Sequence, residues 1–317
     1  MATPLDFEQS IAELEAKLEE LRHFSNTKDV NITEEVKRLE KKVQKLLQQT
    51  YGSLTPWQKV QVARHVDRPQ FLDFIEELIE DYVELSGDRC FAEDAALLGG
   101  FGRFRGQPVA ILGHQKGHDT DARIHHNFGM PLPEGYRKAR RIMELADHFS
   151  LPLLTFVDTA GARPGVEAEA RGQSEAIARC IETLLNLQVP VITTITGEGG
   201  SGGAIAIAVA NTILMLEHAV YSVISPEGCA SILWRTGDKK EMAANAQKLT
   251  SEDLKKLGVI DKIILEPLGG AQRSPKATIS TVGDAIEQTL KMYTNMPGAE
   301  LRRTRRDKFL AMGSKGL

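Results

Sequence analysis

Five glycines fall within eight residues in Gly197-Glu-Gly-Gly-Ser-Gly-Gly-Ala204, between the apolar run Val191-Ile-Thr-Thr-Ile-Thr196 and the helix-compatible run Ala204-Ile-Ala-Ile-Ala-Val-Ala210. Without side chains, peptide N–H groups approach a ligand closely, and the start of a following helix adds partial positive charge. The pattern reads as a strand-to-helix turn able to hold an oxyanion. A flexible linker also uses glycine, but two buried-type segments bracket this one tightly. The run after it is apolar all round, which places that helix inside a packed domain and keeps the turn at its start fixed and partly enclosed.

The 317 residues carry 42% hydrophobic and 26% charged side chains with a net charge of -4, so neither a nucleic-acid nor a membrane partner is expected from charge, and an anionic ligand has to be met locally. Cys90, Cys180 and Cys229 are odd in number and far apart, which encodes neither a disulfide framework nor a zinc ribbon and suits a reducing compartment. Acidic residues from Asp6 onward and the lack of a long apolar run lead to the expectation of a soluble, cytoplasmic protein.

Apolar residues at Ile11, Leu14, Leu18 and Leu21, then at Val36, Leu39, Val43 and Leu46, predict two amphipathic helices with a polar break at Ser25 to Asn31. This helical hairpin suits an assembly arm. A helix is expected over Pro69 to Leu85. Strands are expected at Pro108–Gly113, Leu153–Asp158, Val191–Thr196, Ile213–Leu216, Ala219–Ser225 and Val259–Leu265, with helices at Gly135–Phe149, Glu169–Leu187 and Gly202–Ala210 between successive strands. That alternation predicts an α/β fold with largely parallel pairing. An amphipathic helix after Thr281 and the basic run Arg302-Arg-Thr-Arg-Arg306 read as a solvated or subunit-contacting end.

Three further turns carry candidate chemistry. Asp158-Thr-Ala-Gly-Ala-Arg-Pro-Gly165 repeats the strand, glycine turn and helix topology, which puts Gly161 and Arg163 on the same sheet edge as the first turn. Arg163 either meets an anion there or pairs with Asp158. Ser225-Pro-Glu-Gly228 opens a helix, and Glu227 either orients a donor or serves the helix start. Gly113-His-Gln-Lys-Gly117 places Lys116 beside a strand end, with Arg123 following, and both are cations suited to phosphate. Gly199-Gly-Ser-Gly-Gly203 also matches a nucleophile elbow, for which His218 and Asp238 are the downstream partners, although neither is tied to Ser201 by spacing. His114, His118, His125 and His126 lack a metal-binding pattern, and no metal is expected in this chain.

Several long strings are far more specific than these motifs: Asp6-Phe-Glu-Gln9, Ile11-Ala-Glu-Leu-Glu-Ala-Lys17, Gly113 to Gly117, Asn127-Phe-Gly-Met130, Pro133-Glu-Gly-Tyr-Arg-Lys-Ala139, Arg171-Gly-Gln-Ser-Glu-Ala-Ile-Ala-Arg179, Tyr221 to Trp234 and Glu266-Pro-Leu-Gly-Gly-Ala271. On these residues, over about 5–272, the chain resembles the α subunits of bacterial multi-subunit acetyl-coenzyme A carboxylase carboxyltransferases. The resemblance implies a crotonase-like ββα superhelix, with residues 1–85 as an N-terminal helical assembly region and 86–317 as the carboxyltransferase domain with C-terminal helices. It implies transfer of a carboxyl group from carboxybiotin on a biotin carboxyl carrier protein to acetyl-coenzyme A, giving malonyl-coenzyme A for fatty acid synthesis. It also implies an α2β2 assembly with a zinc-ribbon-bearing β subunit, and biotin carboxylase in the wider complex.

The family's α-side oxyanion hole maps onto the backbone N–H groups of Gly202, Gly203 and Ala204. Gly199, Gly200, Gly161, Arg163, Glu227 and Lys116 are then expected on the biotin or acyl-coenzyme A side. Two departures stand out: Ala160 and Arg163 replace a Pro and a Tyr of the family pattern, and Gly165-Val-Glu-Ala-Glu-Ala170 replaces Gly-Val-Gly-Ala-Glu-Glu.

Overall fold

The computed structural model describes residues 3–24 and 30–314. A helical layer comes first. Helices α1 (Gln9–Phe24) and α2 (Val30–Tyr51) form a hairpin closed by Ile11, Val43, Leu47 and Tyr51. The polar break expected at Ser25 to Asn31 falls mainly on 25–29, outside the described residues. Helix α3 (Pro56–Ala63) starts at Thr55, whose hydroxyl accepts from the Gln58 N–H at 3.2 Å, and α4 (Phe71–Leu78) follows.

The expected Pro69–Leu85 helix stops at Leu78 and turns into strand β1 (Ile79–Glu84), which pairs antiparallel with β2 (Leu97–Phe104). Strand β2, Leu-Leu-Gly-Gly-Phe-Gly-Arg-Phe, was hidden by its glycines. They are needed there because a Cβ on Gly100 would lie 2.0 Å from the Val83 carbonyl oxygen, beside the irregularity in β1.

The chain continues through β3 (Gln107–His114), α5 (Thr120–His125), α6 (Pro133–His148), β4 (Leu153–Thr159), α7 (Val166–Ala170), α8 (Gln173–Asn186), β5 (Val191–Gly200) and α9 (Ser201–Ala208). Then come β6 (Thr212–Leu216), β7 (Val220–Ser222), α10 (Pro226–Trp234), α11 (Lys240–Gln247), α12 (Ser251–Leu257), β8 (Lys262–Ile264), α13 (Pro275–Tyr293) and α14 (Gly298–Ala311). The helix expected at Glu169–Leu187 is two helices because Gly172 takes φ 82° between α7 and α8. No helix among the described residues is long and apolar enough to cross a membrane.

One sheet runs β1-β2-β3-β4-β5-β6-β8, with β7 also paired to β5. From β3 onward all pairs are parallel, as the alternating pattern predicted. All seven residues of β4 are buried, as expected of a strand covered on both faces. Thr155, in the middle of β4, shares a 2.7 Å hydrogen bond with Thr193 of β5 and donates to the Ile207 carbonyl at 2.8 Å. That contact pins the far end of α9 to the sheet, so the helix is fixed at its exit as well as its start.

The basic end of the chain is not simply solvated. Arg305 is fully buried and donates to the carbonyls of Leu184, Leu187 and Val189, where α8 runs out of intrahelical partners. Arg302, Arg303 and Arg306 remain exposed.

A second buried arginine ties the helical layer to the sheet. Arg68, between α3 and α4, makes a bidentate pair with Glu266, both bonds at 2.8 Å, and donates to the Thr196 carbonyl of β5 at 2.8 Å. Their side chains are 2% and 0% exposed, so removing one partner strands a buried charge. Arg68→Met is expected to cost about 3–5 kcal/mol in urea denaturation, whereas Arg179→Met, which breaks an exposed pair with Glu175, leaves the urea midpoint essentially unchanged. Equal losses would show that the buried pair is no anchor.

Candidate active site

The carboxyl ends of β3, β4 and β5 lie side by side and deliver His114, Asp158 and the glycine run to one edge of the sheet. The run forms no separate turn between strand and helix. Strand β5 continues through Gly200, with Gly199 paired to Thr159 of β4 and to Tyr221 of β7, and α9 starts at once with Ser201 at φ 50°.

Packing explains two of the glycines directly. A Cβ on Gly200 would stand 2.2 Å from the Ala160 oxygen, and one on Gly203 would stand 2.6 Å from the Gly161 carbonyl carbon and 2.7 Å from the Ala162 nitrogen. Backbone therefore lies directly against backbone between the first turn of α9 and the turn after β4. At Gly202 the nearest atom is Cδ1 of Ile177 at 3.3 Å, a side-chain end that yields. The facing turn is closed by Thr159, whose hydroxyl accepts from the Gly161 N–H at 3.0 Å and donates to the Gly161 carbonyl at 2.9 Å.

At the start of α9 the N–H groups of Gly202 and Gly203 lie in the first helical turn, which no side chain caps. They are the orphan donors of a helix N-terminus and sit at its positive end. Ser201 is exposed, while Gly203 and Ala204 are buried. The arrangement can therefore accept an oxygen carrying negative charge without using a side chain. Ala204 closes that first turn, and Gly161 faces it across the backbone contact.

Beneath this edge runs a chain of alternating charges. Lys116 lies 2.6 Å from Asp158 and 3.2 Å from Glu198; Arg64 of the α3–α4 connection lies 2.6 Å from Glu198 and 2.6 Å from Glu227. Asp158 also accepts from the Glu198 N–H at 2.8 Å. Burial opposes the charge on Lys116, but the two carboxylates raise its pKa; burial likewise opposes ionisation of Glu198, but Lys116 and Arg64 carry its pKa below the usual carboxylate range. Burial drives the His114 imidazole down to about 3, with Lys116 adding to the effect, so that ring is neutral.

Three expected ligand contacts change accordingly. Lys116 is not a free cation for phosphate, because two carboxylates hold it. Asp158 pairs with Lys116 instead of Arg163; Arg163 is exposed, and its backbone N–H donates to the Pro131 carbonyl at 3.0 Å. Glu227 is taken by Arg64, while Ser225 serves the helix start by accepting from the Gly228 N–H at 3.1 Å. Arg123 stands over the Phe128 ring, 5.5 Å from its centroid.

No catalytic triad forms on Ser201. His218 packs edge-on against Tyr51, ring centroids 5.5 Å apart, and Asp238 accepts from the Thr236 hydroxyl, so neither partner is engaged with the serine. Among the described residues no group of three or more His, Cys, Asp or Glu side chains is placed to hold a metal ion. A cavity of about 680 Å³ lies between α1 and α2 and shares no lining residue with the glycine run; a much smaller cleft touches Arg64, Ala160, Glu198, Gly199 and Gly200.

A family described as acetyl co-enzyme A carboxylase carboxyltransferase-like matches residues 4–313. The chain belongs to this family. A carboxyl transferase subunit alpha of acetyl-coenzyme A carboxylase from Paramagnetospirillum magneticum is 60% identical over 313 residues, covering 99% of both chains, and one from Rhizorhabdus wittichii is 56% identical over 99% of this chain and 100% of the relative. Among solved structures, transcarboxylase 12S superposes with TM-score 0.59 at 20% identity over 74% of this chain and 44% of its own. A Pseudomonas malonate decarboxylase hetero-tetramer superposes with TM-score 0.57 at 17% identity over 70% and 87%. The fold of this carboxyltransferase-family chain is therefore the expected crotonase-like one.

Sequence reading missed Arg64, Arg68, Glu198 and Gln70. Gln70 fixes the loop that carries Lys116: its side-chain oxygen accepts from the N–H groups of Lys116 at 3.2 Å and Gly117 at 2.6 Å. The next residue, His118, bonds Asp73 at 3.0 Å.

Two predictions follow from this geometry. Gly200→Ala and Gly203→Ala each lose about 1–3 kcal/mol or more by overpacking backbone, while Gly202→Ala stays within about 1 kcal/mol of wild type because helix propensity offsets mild crowding. Urea denaturation separates them, and three equal losses contradict the backbone-contact account. The hydrogen bond to Asp73 raises the His118 pKa from 6.5 to about 8. That contribution is complete below pH 6.5 and fades as pH rises through about 8. The Tm difference between wild type and His118→Gln should shrink over pH 6.5 to 9; a constant difference removes the pair from the account.

Proposed function

We propose that this chain is the α half of a biotin-dependent acetyl-coenzyme A carboxyltransferase, moving a carboxyl group from carboxybiotin on a carrier protein to acetyl-coenzyme A to give malonyl-coenzyme A. The observation that carries this reading is the uncapped first turn of α9, whose Gly202 and Gly203 N–H groups are held by backbone contact beside side-chain charges that neutralise one another. Carboxybiotin, when bound, supplies the carboxyl group and is left with a ureido group basic enough to take the acetyl α-proton.

The chain's own part is electrostatic. Gly202, Gly203 and Ala204 present preorganised donors to the ureido oxygen as it gains charge, and one such donor is worth on the order of 3 kcal/mol in barrier, a hundredfold or more in rate. No side chain on this edge is poised as a general base: burial makes His114 too weak a base and encloses both its ring nitrogens, and Lys116 is held by carboxylates. Gly199, Gly200 and Gly161 shape the cradle, Lys116 and Glu227 act through the charge chain, and Arg163 stands on the exposed rim.

A zinc-ribbon-bearing β subunit in an α2β2 tetramer completes the site from the open side and supplies the thioester's oxyanion hole. Support comes from the exposed apolar side chains that border the edge: Val166 at 82%, Val223 at 80% and Ile232 at 71% exposure. The carrier protein and biotin carboxylase join the wider complex. Three free thiols suit a reducing, cytoplasmic setting.

The chain co-purified with its β subunit is expected to form malonyl-coenzyme A from carboxybiotinylated carrier and acetyl-coenzyme A, and the chain alone to form none. Hydration or hydrolysis of an acyl-coenzyme A by the chain alone, without biotin, or covalent labelling of Ser201 by a fluorophosphonate, would overturn the reading in favour of a stand-alone crotonase-type enzyme.

A further inference from the structure

Arg64 is the one member of the charge chain that joins elements on opposite sides of the small cleft beside Gly199 and Gly200. Its Nε donates to Glu198 at 2.6 Å, and its two terminal nitrogens donate to the Glu227 carboxylate at 2.6 and 3.4 Å. Glu198 stands immediately before the glycine pair in β5 and is matched to Val220 of β7. Glu227 is in the first turn of α10. Arg64 is the guanidinium among these linked charges, and its planar fork lets one cation satisfy two carboxylates at once.

The alternative arrangements are poor. Lys116 divides its ammonium between Asp158 at 2.6 Å and Glu198 at 3.2 Å, so it holds only one of the two carboxylates that Arg64 joins. Without Arg64, Glu198 keeps Lys116 but Glu227 loses its ion-pair partner, and the two carboxylates face each other with no cation bridging them, which costs free energy. The cheapest relief is to move α10 or the end of β5 outward. Gly200 and Gly203 have no slack against Ala160 and Ala162, so a shift in β5 passes directly to the first turn of α9.

We propose that Arg64 is a positioning residue for carboxyl transfer, holding the glycine strand and α10 in register through Glu198 and Glu227. This rests on the carboxyltransferase reading above. It also gives the N-terminal helical region a place in the active site, beyond assembly.

The test uses the assembled α and β complex in the reverse direction, with malonyl-coenzyme A as carboxyl donor and biotinylated carrier as acceptor. Arg64→Ala is expected to lower kcat by on the order of 10–100-fold, the range for a misplaced catalytic group, with KM for malonyl-coenzyme A changed by less than about twofold because the thioester sits on the partner's side. Arg64→Lys, which reaches one carboxylate, recovers part of kcat. Glu227→Gln lowers kcat by on the order of threefold or more without moving Tm, and adding it to Arg64→Ala produces no further loss. The idea is overturned if Arg64→Ala keeps kcat within twofold, or if kcat falls only in step with Tm and complex recovery. Should Arg64→Ala fail to fold, Glu227→Gln decides, and an unchanged kcat there overturns it. A wild-type complex with no carboxyl transfer would instead defeat the carboxyltransferase reading itself.

Discussion

Backbone resting on backbone is the constraint on which the rest of this site depends. The first turn of α9 approaches Ala160 to Ala162 so closely that no Cβ fits at Gly200 or Gly203. Such contact has no soft side chains to absorb displacement, so the position of the Gly202 and Gly203 donors is set by two strand ends rather than by loop conformation. It also explains why the site has several glycines where a single tight turn needs fewer. Some admit a ligand; others admit the neighbouring main chain. At its other end α9 is held by Thr155 and Thr193 through the Ile207 carbonyl, so the helix is fixed along its whole length.

The charge chain answers a different requirement. Bringing β3, β4 and β5 to one edge buries Asp158, Lys116 and Glu198 together, and each alone would be costly in that setting. Alternating the signs satisfies all of them and ties three strand ends with hydrogen bonds of fixed direction. Arg64 and Arg68 extend the same logic into the helical layer, the first towards α10 and the second through Glu266 and Thr196 to β5. The helical region is thereby joined to the very strand that carries the glycines.

How much of this was legible in the sequence follows from range. Strands β4 and β5 and helix α9 are apolar runs whose periodicity is local, and Ser225 before Pro226 marks the start of α10 within four residues. The candidate donors at Gly202 and Gly203 could be named because orphan N–H groups belong to any helix start. The reason for Gly203 could not, since its neighbour at Ala162 comes from a separate turn. Arg64 and Arg68 have partners 134 and 198 residues away, and nothing in their own segment distinguishes them from surface arginines. Lys116 was visible as a cation beside a strand end, but its role reversed once Asp158 and Glu198 were placed around it. Strand β1 was read as helix because Phe71, Phe74, Ile75 and Leu78 set a helical period, and only the pairing with β2 ends it.

These features together give the edge a fixed electrostatic character. Asp158 and Glu198 consume the charge of Lys116, Glu198 and Glu227 share that of Arg64, and His114 beneath them stays neutral down to about pH 3. The positive potential left facing the open side comes from peptide dipoles, which do not titrate. On the proposed carboxyltransferase reading, a site built this way stabilises a developing oxyanion equally well across the physiological range, and it needs no proton of its own because the basic group arrives with the substrate. Its weak point is geometric: a rigid donor pair helps only if the oxygen arrives within hydrogen-bond distance. That places the burden of alignment on Gly200, Gly203 and the ion pairs that hold β5, and makes the open rim around Val166 and Val223, where a second surface must close, the remaining determinant of turnover.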